Sequence, residues 1–152
     1  MKRLGILSFI LIIIDVIIKV IVDKCMNIYD TIKIIPNFFN IMYVRNTGAA
    51  FSIMENSRVL FIVIGIVAIY LIWRFFIKDK QLNNYYIVIY SMLIAGIIGN
   101  MIDRILYGYV IDYLSFNIFG YSFPVFNLAD TFIVVSIIML IIYEGVVIKC
   151  KS

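Results

Sequence analysis

Long apolar runs separated by polar, turn-rich clusters set the layout of this chain. Residues 4–22, 59–77, 85–102 and 126–148 form four stretches poor in charge, each long enough to cross a bilayer as a helix. In the connections at 23–58 and 103–125 the pattern changes. There Gly, Asn and Pro punctuate shorter runs rich in β-branched and aromatic residues, at 31–35, 38–44 and 109–119. The pattern predicts a membrane all-α bundle of four transmembrane helices with a small extracytoplasmic β-sheet resting on one end.

Composition sharpens this picture. Of 152 residues, 64% are hydrophobic and 14% charged, well beyond the apolar share of a soluble domain, so a large soluble catalytic domain is excluded. One integral membrane domain over residues 1–152 is expected. The net charge of +4 does not point to nucleic acid, because the basic residues sit at helix ends rather than in a stripe. Lys2, Arg3, Arg74, Lys78, Lys80, Lys149 and Lys151 fall in the two tails and the connection between the second and third spans. The positive-inside bias puts that face, with both termini, in the cytoplasm and the sheet on the outer side.

Cys25 and Cys150 form no CxxC and there is no histidine, so a metal centre, a disulfide framework and redox chemistry are not expected. Residues 1–14 have the basic start and apolar run of a signal peptide, but no small-residue cleavage site follows, and the first span is expected to stay in the mature protein. No internal repeat is visible, which argues against the repeat construction common in transporters.

Polar residues within or beside the apolar runs are the candidates for chemistry, because ionisable groups are costly in lipid. Asp15 and Lys19 lie one helical turn apart on the first span and read as a clamp to neighbouring helices. Asn46, Thr47, Gly48, Ala49, Ala50 and Phe51 form either an ordinary turn or a loop held close to a ligand. Gly96 and Gly99 offer a thin face for helix packing. Asn100 and Asp103 share a helical face, and Arg104 adds donors at the helix end. Asp112 alternates with Ile111 and Tyr113 on a strand, and Asn127 with Asp130 has the spacing of a helix N-cap.

Without histidine or a metal cluster, a carboxylate pair is the most economical catalyst available. Two close carboxyls resist ionising together, so one keeps a proton and the site holds an acid and a base at once. Asp112 and Asp130 are that pair; Asn100, Arg104 and Asn127 would donate to a substrate backbone. A proton channel or small transporter using Asp15, Asp103, Asp112 and Asp130 as a relay is opposed by their clustering at one side. A scaffold without catalysis leaves the strand aspartate unexplained.

The motifs Asp15 with Lys19, NTGAAF at 46–51, GNMIDR at 99–104, VIDY at 110–113 and FPVFNLAD at 123–130 resemble, in order and spacing, those of the bacterial lipoprotein signal peptidases, or signal peptidase II. Departures are modest: Val16, Ile17 and Ile18 replace residues that are usually polar, and Ala95 and Ile97 alter a small-residue run. The resemblance implies an intramembrane aspartyl endopeptidase of the bacterial cytoplasmic membrane. It would cleave signal peptides from diacylglyceryl-modified prolipoproteins immediately before the lipidated cysteine. Asp112 and Asp130 would be catalytic. Asn46, Gly48, Asn100, Arg104 and Asn127 would bind substrate, with Asp15, Lys19 and Asp103 supporting. The implied partners are the prolipoprotein and membrane lipid, and a monomer without cofactor is expected.

Overall fold

The computed structural model describes residues 1–48 and 57–151. Ala49, Ala50 and Phe51 of the NTGAAF motif lie outside the described residues. The elements run α1 (Lys2–Cys25), β1 (Thr31–Ile35), β2 (Phe39–Asn46), α2 (Arg58–Ile72), α3 (Asn84–Leu106), β3 (Val110–Ile118), β4 (Tyr121–Ser122) and α4 (Leu128–Lys151), with a π-helical turn at Trp73–Ile77 continuing α2. Four of these helical segments, α2 with its π turn included, are long and apolar enough to cross a membrane. The strands form one antiparallel sheet in the order β1-β2-β3-β4.

Burial is inverted relative to a protein packed for water. Ile6, Phe9, Ile10, Ile13, Ile17 and Ile21 of α1 are exposed, while Ser8, Asp15 and Lys19 of the same helix are buried. On α3 and α4, Ser91, Asn100, Asp103 and Ser136 are also interior. Lipid tails give leucine and isoleucine no reason to leave the surface, so the bundle associates through small and hydrogen-bonding residues instead. α3 is its centre and packs on α1, α2 and α4. A Cβ at Gly96 would meet the Ala129 carbonyl oxygen, and one at Gly99 would come within 2.5 Å of Asp15 Oδ2. These glycines supply the thin face read from sequence. They let α3 approach α4 and α1 at the level of the polar interior.

At the end of the bundle remote from the sheet, tyrosines join α3 to α4. The Tyr85 and Tyr143 rings stack at 4.4 Å, Asn83 donates to Tyr143, and Tyr86 donates to Glu144. At the other end the sheet closes over the helices. β1 carries an extra residue between Lys33 and Ile35, and β2 carries one between Ile41 and Val44. The second bulge changes the register just where β2 pairs with the buried start of β3, and such bulges commonly re-aim side chains beside a site.

The helices extend past the apolar runs that marked them. α1 continues to Cys25 and α3 to Leu106, so Asp103 and Arg104 lie in the last turns of the helix, as the shared face of Asn100 and Asp103 implied, and the connection is shorter than the 103–125 expected. α4 starts at Leu128, two residues later than the apolar run, because the backbone of Phe126 pairs with Tyr113 and Leu114. β4 is an additional short strand, joined to β3 by a tight turn at Phe119 and Gly120, both with positive φ.

Candidate functional site

Four polar elements converge where the sheet meets the bundle. The first is β3. Ile111 and Tyr113 pack with Val22 of α1, so Asp112 between them projects from the opposite face. Asp112 is only 2% exposed, and its two oxygens accept hydrogen bonds from different amides. Asn46 Nδ2 donates to Oδ2 at 2.8 Å and Asn127 Nδ2 donates to Oδ1 at 2.7 Å.

The second element is the start of α4. Asn127 Oδ1 accepts the Asp130 N–H at 3.0 Å, while Asp130 Oδ2 accepts the Asn127 N–H at 3.2 Å, a reciprocal capping arrangement. Tyr113 Oη takes a further unpaired helix amide, that of Leu128, at 3.2 Å. This cap fixes Asp130 on the first turn. The same Asn127 side chain reaches Asp112, so one residue joins both aspartates.

α3 provides the third element. Asn100 Nδ2 donates to Asp130 Oδ1 at 2.7 Å, and its Oδ1 accepts from both Asn127 and Lys19 at 3.1 Å. Arg104 donates to the Gly48 carbonyl at 3.0 Å, and its guanidinium lies over the Phe61 ring at 4.7 Å. The fourth element is the end of β2. Asn46 Oδ1 accepts the Gly48 N–H at 2.9 Å, an Asx turn, while its Nδ2 holds Asp112. Asn46 and Gly48 thus form the turn, and both also line the cavity.

Asn46, Gly48, Asn100, Arg104, Asp112 and Asp130 line one cavity of about 620 Å³. Its remaining wall is apolar, from Val110, the 123–126 segment and the α4 face of Thr131, Val134 and Val135. Asn127 is fully buried behind the two aspartates and is not on that wall. Val134 and Val135 were not singled out from sequence. They lie one turn beyond Asp130 and Thr131, so helical periodicity counted from Asp130 finds them.

Asp15, Lys19 and Asp103 lie beneath the cavity. Lys19 Nζ is 2.9 Å from Asp15 Oδ2 and 3.0 Å from Asp103 Oδ2, all three side chains being buried. The clamp expected between Asp15 and Lys19 includes a second carboxylate from α3, and Asp15 also reaches α4 through the Ala129 N–H.

Burial, and then the charge of Asp130, push the Asp112 carboxyl up to about 7. The amides of Asn46 and Asn127 oppose that rise only in part. Two carboxyls on one cavity resist ionising together, so Asp112 gives up its proton reluctantly beside Asp130. Such a pair, in a mostly apolar cavity with a few convergent donors, suits proton transfer to and from a bound substrate.

Comparison with known proteins places the chain in a family. A family model described as signal peptidase (SPase) II matches residues 7–146. Proteins named lipoprotein signal peptidase from Staphylococcus aureus strains JH9 and Newman are each 44% identical over 131 residues, covering 86% of this chain and 80% of theirs. A structure described as a bacterial membrane enzyme solved by the in meso method at 2.3 Å superposes with a TM-score of 0.91 at 38% identity, covering 100% of this chain and 93% of that one. A second, solved by the same method at 1.9 Å, gives a TM-score of 0.84 at 39% identity, covering 95% and 93%. This chain belongs to the signal peptidase II family and is a multi-pass protease of the bacterial membrane.

Proposed function

We propose that this protease is an intramembrane aspartyl endopeptidase that removes the signal peptide from diacylglyceryl-modified prolipoproteins, cutting immediately before the lipidated cysteine. The observation that carries the reading is the convergence of Asp112 and Asp130, joined through Asn127, on one cavity with an apolar wall. Asp130, charged, takes a proton from the attacking water. Asp112, protonated, gives its proton to the scissile carbonyl oxygen as the carbon becomes tetrahedral; on collapse Asp130 passes the proton it took from water to the leaving amine, and Asp112 recovers its own as the carbonyl re-forms. Asn100 holds one Asp130 oxygen in place, leaving the carboxylate pre-oriented. Arg104 and Asn46, on the cavity wall, hold the substrate backbone extended, since a peptide must leave its helix to expose a bond to attack.

The apolar α4 face of Val134 and Val135 supports delivery of the signal peptide from lipid. Both termini lie in the cytoplasm and the site at the outer face, by the distribution of lysine and arginine. The chain acts as one unit over residues 1–152, as a monomer and without a cofactor.

The test is cleavage of a diacylglyceryl-modified prolipoprotein by the purified protein in lipid nanodiscs, with the new N-terminus read by mass spectrometry. Asp112→Asn and Asp130→Asn should each abolish turnover while leaving a folded protein, because asparagine keeps the shape but cannot cycle the proton. Full turnover in both variants, or cleavage away from the cysteine, refutes the proposal.

A further inference from the structure

We propose that the buried Asp15, Lys19 and Asp103 cluster is a positioning device for the dyad, in which one lysine locks together the two carboxylates that hold the backbone N–H groups of the residues immediately before Asp112 and Asp130. The inference rests on the dyad reading above. Asp103 Oδ2 accepts the Ile111 N–H at 3.1 Å, next to Asp112 in the chain. Asp15 Oδ1 accepts the Ala129 N–H at 3.0 Å, next to Asp130. Lys19 lies within 3.0 Å of both carboxylates and donates to Asn100 Oδ1, whose own amide holds Asp130. Each of the three partners of the lysine therefore leads within one step to a dyad residue.

A lock between helices alone does not need this wiring. Burying three charges gains little stability over an apolar contact of the same volume, so their placement is better explained by what they hold. What they hold is backbone: the strand that presents one aspartate and the helix turn that presents the other. With both peptide units tied to one ammonium, the separation of the dyad is set from below the cavity and the substrate does not have to impose it. Asp15, Lys19 and Asp103 touch no substrate in this scheme; they act through Ile111, Ala129 and Asn100.

Lys19→Met keeps the stem and removes the charge. Assayed well below its own Tm, so that only folded protein is read, it should lose about 100-fold in kcat with KM within about threefold. The alkaline limb of its pH–rate profile should move up, because the lysine charge is one of the influences that favour ionised Asp112, alongside the Asn46 and Asn127 amides and against Asp130. A lowered Tm with kcat and limb unchanged overturns the inference. If this variant does not fold, Asp103→Asn and Asp103→Ala decide instead. Asparagine still offers an oxygen to the Ile111 N–H and should retain at least about tenfold more kcat than alanine; equal values overturn the inference. Asp112→Asn and Asp130→Asn run in parallel. Active dyad variants sink the catalytic reading, whereas inactive ones beside a fully active Lys19→Met sink the positioning role alone.

Discussion

The protonation of Asp112 makes a stability prediction that needs no substrate. In the folded protein its carboxyl is raised from an ordinary 3.8 to about 7, first by burial and then by Asp130. On unfolding, this extramembrane strand returns to water and the ordinary value applies. Between the two values the folded state holds a proton that the unfolded state has released, so stability falls as pH rises. The contribution is full below about pH 4 and lost above about pH 7. At about 1.4 kcal/mol per pH unit the gap corresponds to roughly 4 kcal/mol.

Asp112→Asn removes the titration and keeps the shape. Its cost, a mismatch of its amide against the Asn46 or Asn127 amide, is about 1 kcal/mol and independent of pH. Thermal unfolding of both proteins in the same nanodiscs, from pH 4 to pH 8, cancels the carboxylates that do not interact with Asp112. Wild type should lose about 4 kcal/mol relative to the variant across that range, or roughly 10 °C in Tm for a chain of this size. Wild type should be the more stable of the two below about pH 4.5 and the less stable above about pH 5. Parallel Tm curves would refute the reasoning, since they would mean that Asp112 ionises as easily inside the protein as outside it.

Gly99→Ala should push Asp15 off its position, with a loss of about 1–3 kcal/mol in stability and a fall in kcat, because the new methyl would stand 2.5 Å from Asp15 Oδ2; chemical denaturation together with turnover checks both. Phe119→Asn should raise stability in detergent by up to about 1 kcal/mol without changing kcat, as Phe119 is wholly exposed and has a φ of 51° that asparagine tolerates better. Turnover should fall above about pH 7 as the dyad gives up its shared proton, measured as kcat/KM against pH. A chelator added to the cleavage assay should leave the rate unchanged if, as proposed, acid and base both come from the dyad.

Much of this architecture can be read without coordinates, and the unread parts share a cause. The apolar runs mark the spans because lipid demands about 20 apolar residues per crossing. Their ends are less legible. α3 carries Asp103 and Arg104 inside the helix because Lys19, 84 positions earlier in the chain, neutralises one of them, and hydropathy along a single segment cannot register a distant partner. α4 begins late because Phe126 is needed by β3. Asp112 and Asp130 stand out as carboxylates beside apolar segments, and the N-cap spacing of Asn127 and Asp130 is local. By contrast, the links from Asp103 to Ile111 and from Asn127 to Asp112 arise only when a strand folds back between two helices. The same holds for the hub at Asn100, whose three partners come from α1, α4 and the segment before α4.

Both acidic residues of the dyad belong to the later part of the chain, whereas Asp15, Lys19 and Asn46 belong to the earlier part. A ribosome therefore delivers the cradle before the cutting edge. On the proposed mechanism, cleavage has to wait for the final helix, because Asp130 sits in its first turn.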